Sequence, residues 1–220
     1  MRALAGWFEL VNVEDRLAYL AGHEPRRPFE LGSLALAWSG VARAQSVSDL
    51  RAALASSSWG DPGSEEPADV GLALRAAWGR RLLAEVPEAG AWAGGALALL
   101  VARELLLAGR APEATRRLGL GPPEGRVATV TALADSLPRE AAWSLAGVGE
   151  PEDLWRAESR WWERVERDAE AMVRAHREGR ATVVGALALL AADARRVSAA
   201  LAAASLAAVG DFEEVLGVAG

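Results

Sequence analysis

The chain has 220 residues, a formal net charge of −6 and an apolar content of 51%, and so much apolar residue excludes a largely disordered chain. It has no cysteine and only two histidines, which excludes disulfide scaffolds, thiolate metal sites, cysteine nucleophiles and histidine-rich metal centres. All 24 basic residues are arginine, against 30 acids; a general nucleic-acid binder would need a basic surface to displace counterions.

Alanine supplies 49 positions and leucine 31, while isoleucine is missing. That bias favours helices over sheets. The first helix is expected over about 3–20, where Leu4, Trp7, Phe8, Val11, Leu17 and Leu20 recur at helical spacing and Gly22 stops it. A charged, proline-containing loop follows at 23–28. A second apolar helix is predicted over 31–44, with Leu34, Trp38 and Val41 on one stripe. Ser46 then reads as an N-cap, with Asp49 at the reciprocal position of a capping box. The short helix it opens, 47–57, runs into the breaker cluster Trp59-Gly60-Asp61-Pro62-Gly63.

The next helix is predicted over 69–86, and 87–90 turns the chain into an almost wholly apolar helix at 91–108, ended by Gly109. One or two helical turns are expected over 111–120, a break at Gly121-Pro122-Pro123, and short helices at 127–137 and 139–146 split by Pro138. Glu150-Pro151 opens a helix to about 177, with acidic residues in the first turn where the macrodipole favours them. Its buried stripe is Leu154, Trp161, Val165, Ala169 and Met172. Its outer face carries three Glu-to-Arg pairs at i, i+4: Glu152–Arg156, Glu163–Arg167 and Glu170–Arg174. The last long helix, 182–209, is apolar on nearly all sides apart from Asp193, Arg195, Arg196, Ser198 and Ser205, and is expected at the centre of the core. The tail from Asp211 is expected to fray.

No segment alternates with period two, so the fold class is all-α: an array or bundle of antiparallel helices. One domain is expected over 1–220, with candidate sub-units 1–60, 66–146 and 150–210 joined by Gly/Pro-rich linkers. Gly95-Ala-Leu-Ala-Leu-Leu100 recurs as Gly185-Ala-Leu-Ala-Leu-Leu190, which points to two related helical units. The longest apolar runs, 91–102 and 181–192, are about 12 residues each, short of the roughly 20 a bilayer needs. Buried helices of a soluble protein are expected there, and no signal peptide is expected at the N-terminus.

The residues that carry chemistry are few. There is no Walker A run, no dinucleotide fingerprint and no nucleophile elbow. His23 stands in a loop beside Pro25 with no serine–aspartate arrangement around it. Glu163, Glu166, Glu170 and His176 share a helix, but no Glu stands three residues before His176 as a bundle di-metal site requires, so a solvated charged face is expected. Asp193 and Arg196 interrupt an apolar helix; as a buried ion pair they should bond to each other or to another helix, because an unpaired buried charge is costly, and the alternative is an interhelical salt bridge or a narrow solvent-facing strip. Of the nine tryptophans, Trp38, Trp78 and Trp161 fall on core stripes. Trp59, Trp92, Trp155 and Trp162 are the candidates for a partner surface, since tryptophan is enriched at binding hot spots. No catalytic, cofactor-binding or metal-ligating residue is assigned, and no cofactor is expected.

The segment Ser46-Val-Ser-Asp-Leu-Arg-Ala-Ala-Leu-Ala-Ser-Ser-Ser-Trp-Gly60-Asp61 resembles part of the C-type subunit family of V/A-type rotary ATPases, whose eukaryotic members are called d-type. There a short helix ends in Thr/Ser-x-Tyr-Gly, and Trp59 would replace the aromatic. The segment from Asp168 to Ala204 is similar to a second part: an amphipathic helix, a glycine, an apolar helix and an acidic/Arg patch, with Asp193 and Arg196 where the family has Glu and Asn-Leu-Arg. The likeness covers about a third of the chain. The family is half as long again and has three helical units. Its Asp-x-x-Asn-Leu pattern is absent, with Ala102-Arg103-Glu104-Leu105 standing in its place.

The resemblance implies a non-catalytic helical socket joining the central rotor shaft to the membrane-embedded proteolipid ring, on the cytoplasmic side and peripheral to the membrane. Two rival readings come from the residues alone. One is a scaffold or regulatory protein that homodimerises through Trp-rich helices. The other is a helical regulator or enzyme with a buried ligand pocket; six arginines against six acids in 1–60 disfavour a DNA-binding version.

Overall fold

The computed structural model describes residues 2–110, 127–175 and 179–215, with side chains described as far as 205. The protein is all-α. Nine α-helices lie among the described residues: α1 Arg2–Leu20, α2 Trp38–Val41, α3 Val47–Ala55, α4 Pro67–Glu85, α5 Gly90–Ala102, α6 Val130–Ser136, α7 Arg139–Ala142, α8 Leu154–Arg174 and α9 Arg180–Val215. Short 3₁₀ turns sit at Gly32–Leu34, Pro87–Ala89, Trp143–Leu145 and Pro151–Asp153, and α5 runs on into a π turn, Arg103–Leu107. The chain divides into two compact units, Met1–Trp161 and Trp162–Gly220, with the division inside α8.

In the first unit, α1 packs on α4, α4 on α5, and α5 on α7 and the turn after it. Two apolar clusters hold these helices. Leu10, Val13, Val41, Leu50, Leu54, Val70 and Leu74 form one, between α1, α2, α3 and α4. Val101, Val130, Leu133, Leu145, Leu154 and Ala157 form the other around α5. Close approach depends on small residues. A Cβ on Gly79 would lie 2.7 Å from Leu97, and one on Gly95 would lie 2.8 Å from Trp143. Ser144 Oγ donates to Gly95 O at 3.0 Å on the same face of α5. The stretch Pro87–Leu107 is long and apolar enough to cross a membrane.

Helix ends follow local chemistry. Ser46 Oγ accepts from Asp49 N at 3.1 Å while Asp49 Oδ2 accepts from Gln45 N at 3.1 Å, the expected reciprocal box on α3. Thr129 caps α6 through a single bond, its Oγ1 accepting from Ala132 N at 3.1 Å. Gly60 and Gly63 take φ of +81° and +75° in the breaker cluster, a region open to glycine and strained for side-chain-bearing residues.

Three expectations are corrected. The helix predicted over 31–44 is an extended strap with one 3₁₀ turn and the single-turn α2, because the amides of Leu36, Ala37 and Trp38 bond to a side chain instead of to carbonyls four residues back. Arg156 pairs with Asp153 rather than Glu152, whereas Glu170–Arg174 forms as expected at 2.6 Å. The last helix is longer than predicted, and it is not a core element along its length. Among its described side chains, which end at Ser205, only Val184, Gly185 and Ala192 are buried, and from Asp193 to Ser205 every residue is exposed. The turns expected at 111–120, the break at 121–123 and His176 lie outside the described residues.

The second unit pairs the end of α8 with α9. Gly185 lies against α8, where a Cβ would meet Ala169 O at 2.8 Å and Met172 at 3.0 Å. The two copies of the Gly-Ala-Leu-Ala-Leu-Leu run thus each begin on a glycine that admits a neighbouring helix or ring.

Candidate functional site

One face of α1 carries three polar side chains at i, i+3 and i+7: Glu9, Asn12 and Arg16. All three grip backbone of the strap that follows. Glu9 and Asn12 are fully buried. Glu9 Oε1 accepts from Leu36 N at 2.8 Å, Ala37 N at 2.7 Å and Trp38 N at 2.8 Å. Its Oε2 accepts from Leu36 N at 2.9 Å and from Trp59 Nε1 at 3.0 Å. Asn12 Nδ2 donates to Phe29 O at 2.9 Å, and its Oδ1 accepts from Phe29 N at 2.8 Å. Arg16 Nη2 donates to Ala44 O, and its guanidinium stacks 4.7 Å from the Tyr19 ring centre. A buried carboxylate is tolerated only when its lone pairs are filled, and consecutive backbone amides form a natural anion nest.

Trp59 joins this cluster from the end of α3. Its ring is buried, and the Arg81 guanidinium lies 5.2 Å from the ring centre while Arg81 Nη2 donates to Ser58 O at 2.6 Å. Two residues on, Asp61 receives a two-pronged contact from Arg51, Nε at 2.8 Å and Nη2 at 3.0 Å, plus Gly63 N at 2.9 Å. The Arg51 hydrogen bond, then the Gly63 amide, hold the Asp61 carboxyl down to about 2. The cleft beside Trp59, lined by Asp61, Pro62, Leu74 and Arg80, measures only about 50 Å³. A larger open groove of about 160 Å³ lies over Arg16, Tyr19, Pro25, Arg26 and Trp38.

The tryptophans proposed for a partner surface separate into two pairs. Trp59 and Trp92 are interior, which corrects that expectation for both: Trp59 bonds to Glu9, and Trp92 sits in α5 with its carbonyl accepting from Trp161 Nε1 at 2.9 Å. Trp155 is 61% exposed with Arg156 5.0 Å from its ring centre. Trp162 is half-buried with Arg195 5.2 Å from its ring centre. Asp193 and Arg196 do pair, at 2.8 Å and i, i+3, but both side chains are exposed. Arg196 also reaches Glu166 on α8. The pair is therefore a solvent-side clamp rather than a buried one. Its position follows from the course of α9, whose residues 193–205 all face solvent.

His23 Nδ1 lies 3.0 Å from Ala18 O, where it caps the end of α1. Among the described residues no group of three or more His, Asp and Glu is arranged to hold a metal ion.

Sequence reasoning misses Glu9 and Asn12, because Glu9 reads there only as a polar interruption of an apolar helix. The available signal is their spacing on the face of Val13 and Leu17, where a solvated acid has no place. In comparisons with known proteins, no family model, curated protein or solved structure matches this chain.

Proposed function

We propose that this chain is a non-catalytic coupling component of a V/A-type rotary ATPase, a divergent member of the C-type (eukaryotic d-type) family. In this reading it joins the rotor shaft to the proteolipid ring from the cytoplasmic side. The observation that carries it is the hydrogen bond from Trp59 Nε1 to Glu9. It holds the aromatic that ends the short helix, where the likeness to that family lies, against a buried acid of α1. The non-catalytic part is supported by how the buried polar groups are used. Glu9, Asn12 and Ser144 each bond to backbone, which is structural work.

Affinity purification from the native source tests the proposal. Proteolipid and catalytic ATPase subunits are expected with the chain; recovery with neither sinks the reading. The alternative is a self-associating helical scaffold. It is favoured by α9, which presents Leu190, Val197 and Leu201 to solvent at about 60% exposure each.

A further inference from the structure

The open groove of about 160 Å³ has two chemically distinct parts. Tyr19 of α1, Trp38 of α2 and Pro25 and Pro28 of the loop after α1 make one part. Prolines have no N–H to offer and the rings are flat, so this part is apolar and suits a planar group. Arg16 makes the other. Its side chain is half-buried, and no carboxylate pairs with it among the described residues. Nη2 is used on Ala44 O. Nε is buried with no hydrogen-bond partner. Nη1 bonds to no described residue and, unlike Nε, keeps contact with solvent. A cation that has lost water along one edge without gaining a counter-charge is costly, and an anion on its open edge relieves that cost.

Arg26 brings a second guanidinium to the same groove on a side chain 78% exposed, held by a single ion pair to Asp15 at 3.5 Å. Two arginines against one aspartate leave the lining with one positive charge in excess, within a chain whose net charge is −6. We propose that the groove binds a small aromatic carboxylate. Its ring lies on Tyr19, Trp38 and the prolines, and its carboxylate meets Arg16 Nη1 and Arg26. Guanidinium groups hold carboxylates through charge-assisted hydrogen bonds. One excess positive charge matches a monoanion, whereas a phosphate dianion would exceed it and meet Asp15 at close range. The volume lies below the roughly 300–1,000 Å³ of pockets for drug-sized ligands, so the occupant is small.

This site goes beyond the coupling reading and does not depend on it. An NMR titration of the full chain with 3-phenylpropionate tests it, following the Trp38 indole N–H, which Trp38→Phe identifies. The signal is expected to move and saturate with a dissociation constant of about 1 mM or tighter. The uncharged isostere 3-phenylpropanamide should bind about tenfold more weakly, and Arg16→Gln should cost a similar factor. Arg16 also holds Ala44 O, so two variants outside that bond keep the test independent of folding. Arg26→Ala should weaken binding about threefold, and Asp15→Asn should tighten it about threefold by removing a repulsion and freeing Arg26. A merely structural Arg16 produces no such pair of opposite effects. An unmoved Trp38 signal, equal binding of acid and amide, or weaker binding by Asp15→Asn overturns the proposal. Displacement of 3-phenylpropionate by an equal concentration of inorganic phosphate overturns the carboxylate assignment.

Discussion

Three backbone amides and one indole N–H converge on the carboxylate of Glu9. Charge-assisted hydrogen bonds are about twice as strong as neutral ones, and leaving such donors unmet inside a protein is expensive. Glu9→Gln keeps the shape but sets an amide NH₂ against N–H donors. It should cost about 3 kcal/mol in urea unfolding with an unchanged slope; a loss below about 1 kcal/mol would show that the strap is held by its apolar contacts instead. Asp61 works at the surface and answers to pH. Its value in the folded chain, about 2, lies below the ordinary 3.8, so it favours the folded state above roughly pH 4. That contribution fades as pH falls toward 2. A carboxyl NMR titration should find the Asp61 midpoint near 2, and Arg51→Ala should return it toward 3.8. A midpoint near 4 in the intact chain would remove the Arg51 bond from the account.

Among the elements, what sequence could reveal depended on reach. The capping box at Ser46 and Asp49 spans three residues, so it was legible without tertiary knowledge. The helix expected over 31–44 failed because its amides are claimed from α1, 27 to 29 residues away, and no local pattern encodes such a competitor. The close approach at the repeated glycines was legible only as a repeat; the structure gives its physical reason. Gly185→Ala would press a Cβ to 2.8 Å from Ala169 O, a backbone atom that cannot rotate away. It should cost about 1–3 kcal/mol in thermal melts. Gly90→Ala, at a helix start with nothing within 4 Å of its Cβ, should be neutral or stabilise by up to about 1 kcal/mol. Equal shifts from both would remove close packing as the role of Gly185.

At the scale of the whole molecule, composition announced an all-α protein rich in apolar helix but was silent on which apolar faces are covered. A helix apolar on nearly every side reads as a core helix, and α9 met that description while leaving residues 193–205 in solvent. Trp59 erred in the other direction: a breaker cluster suggests a surface turn, yet its indole reaches Glu9, fifty residues earlier in the chain. That separation has a meaning during synthesis. At about 5–20 residues per second, the ribosome needs roughly 3–10 seconds to make the chain between them. Through that interval α1 has its acid but lacks the indole that completes it. In the nascent chain α1 is therefore committed to waiting, and the residue that ends its wait is the same tryptophan that follows α3.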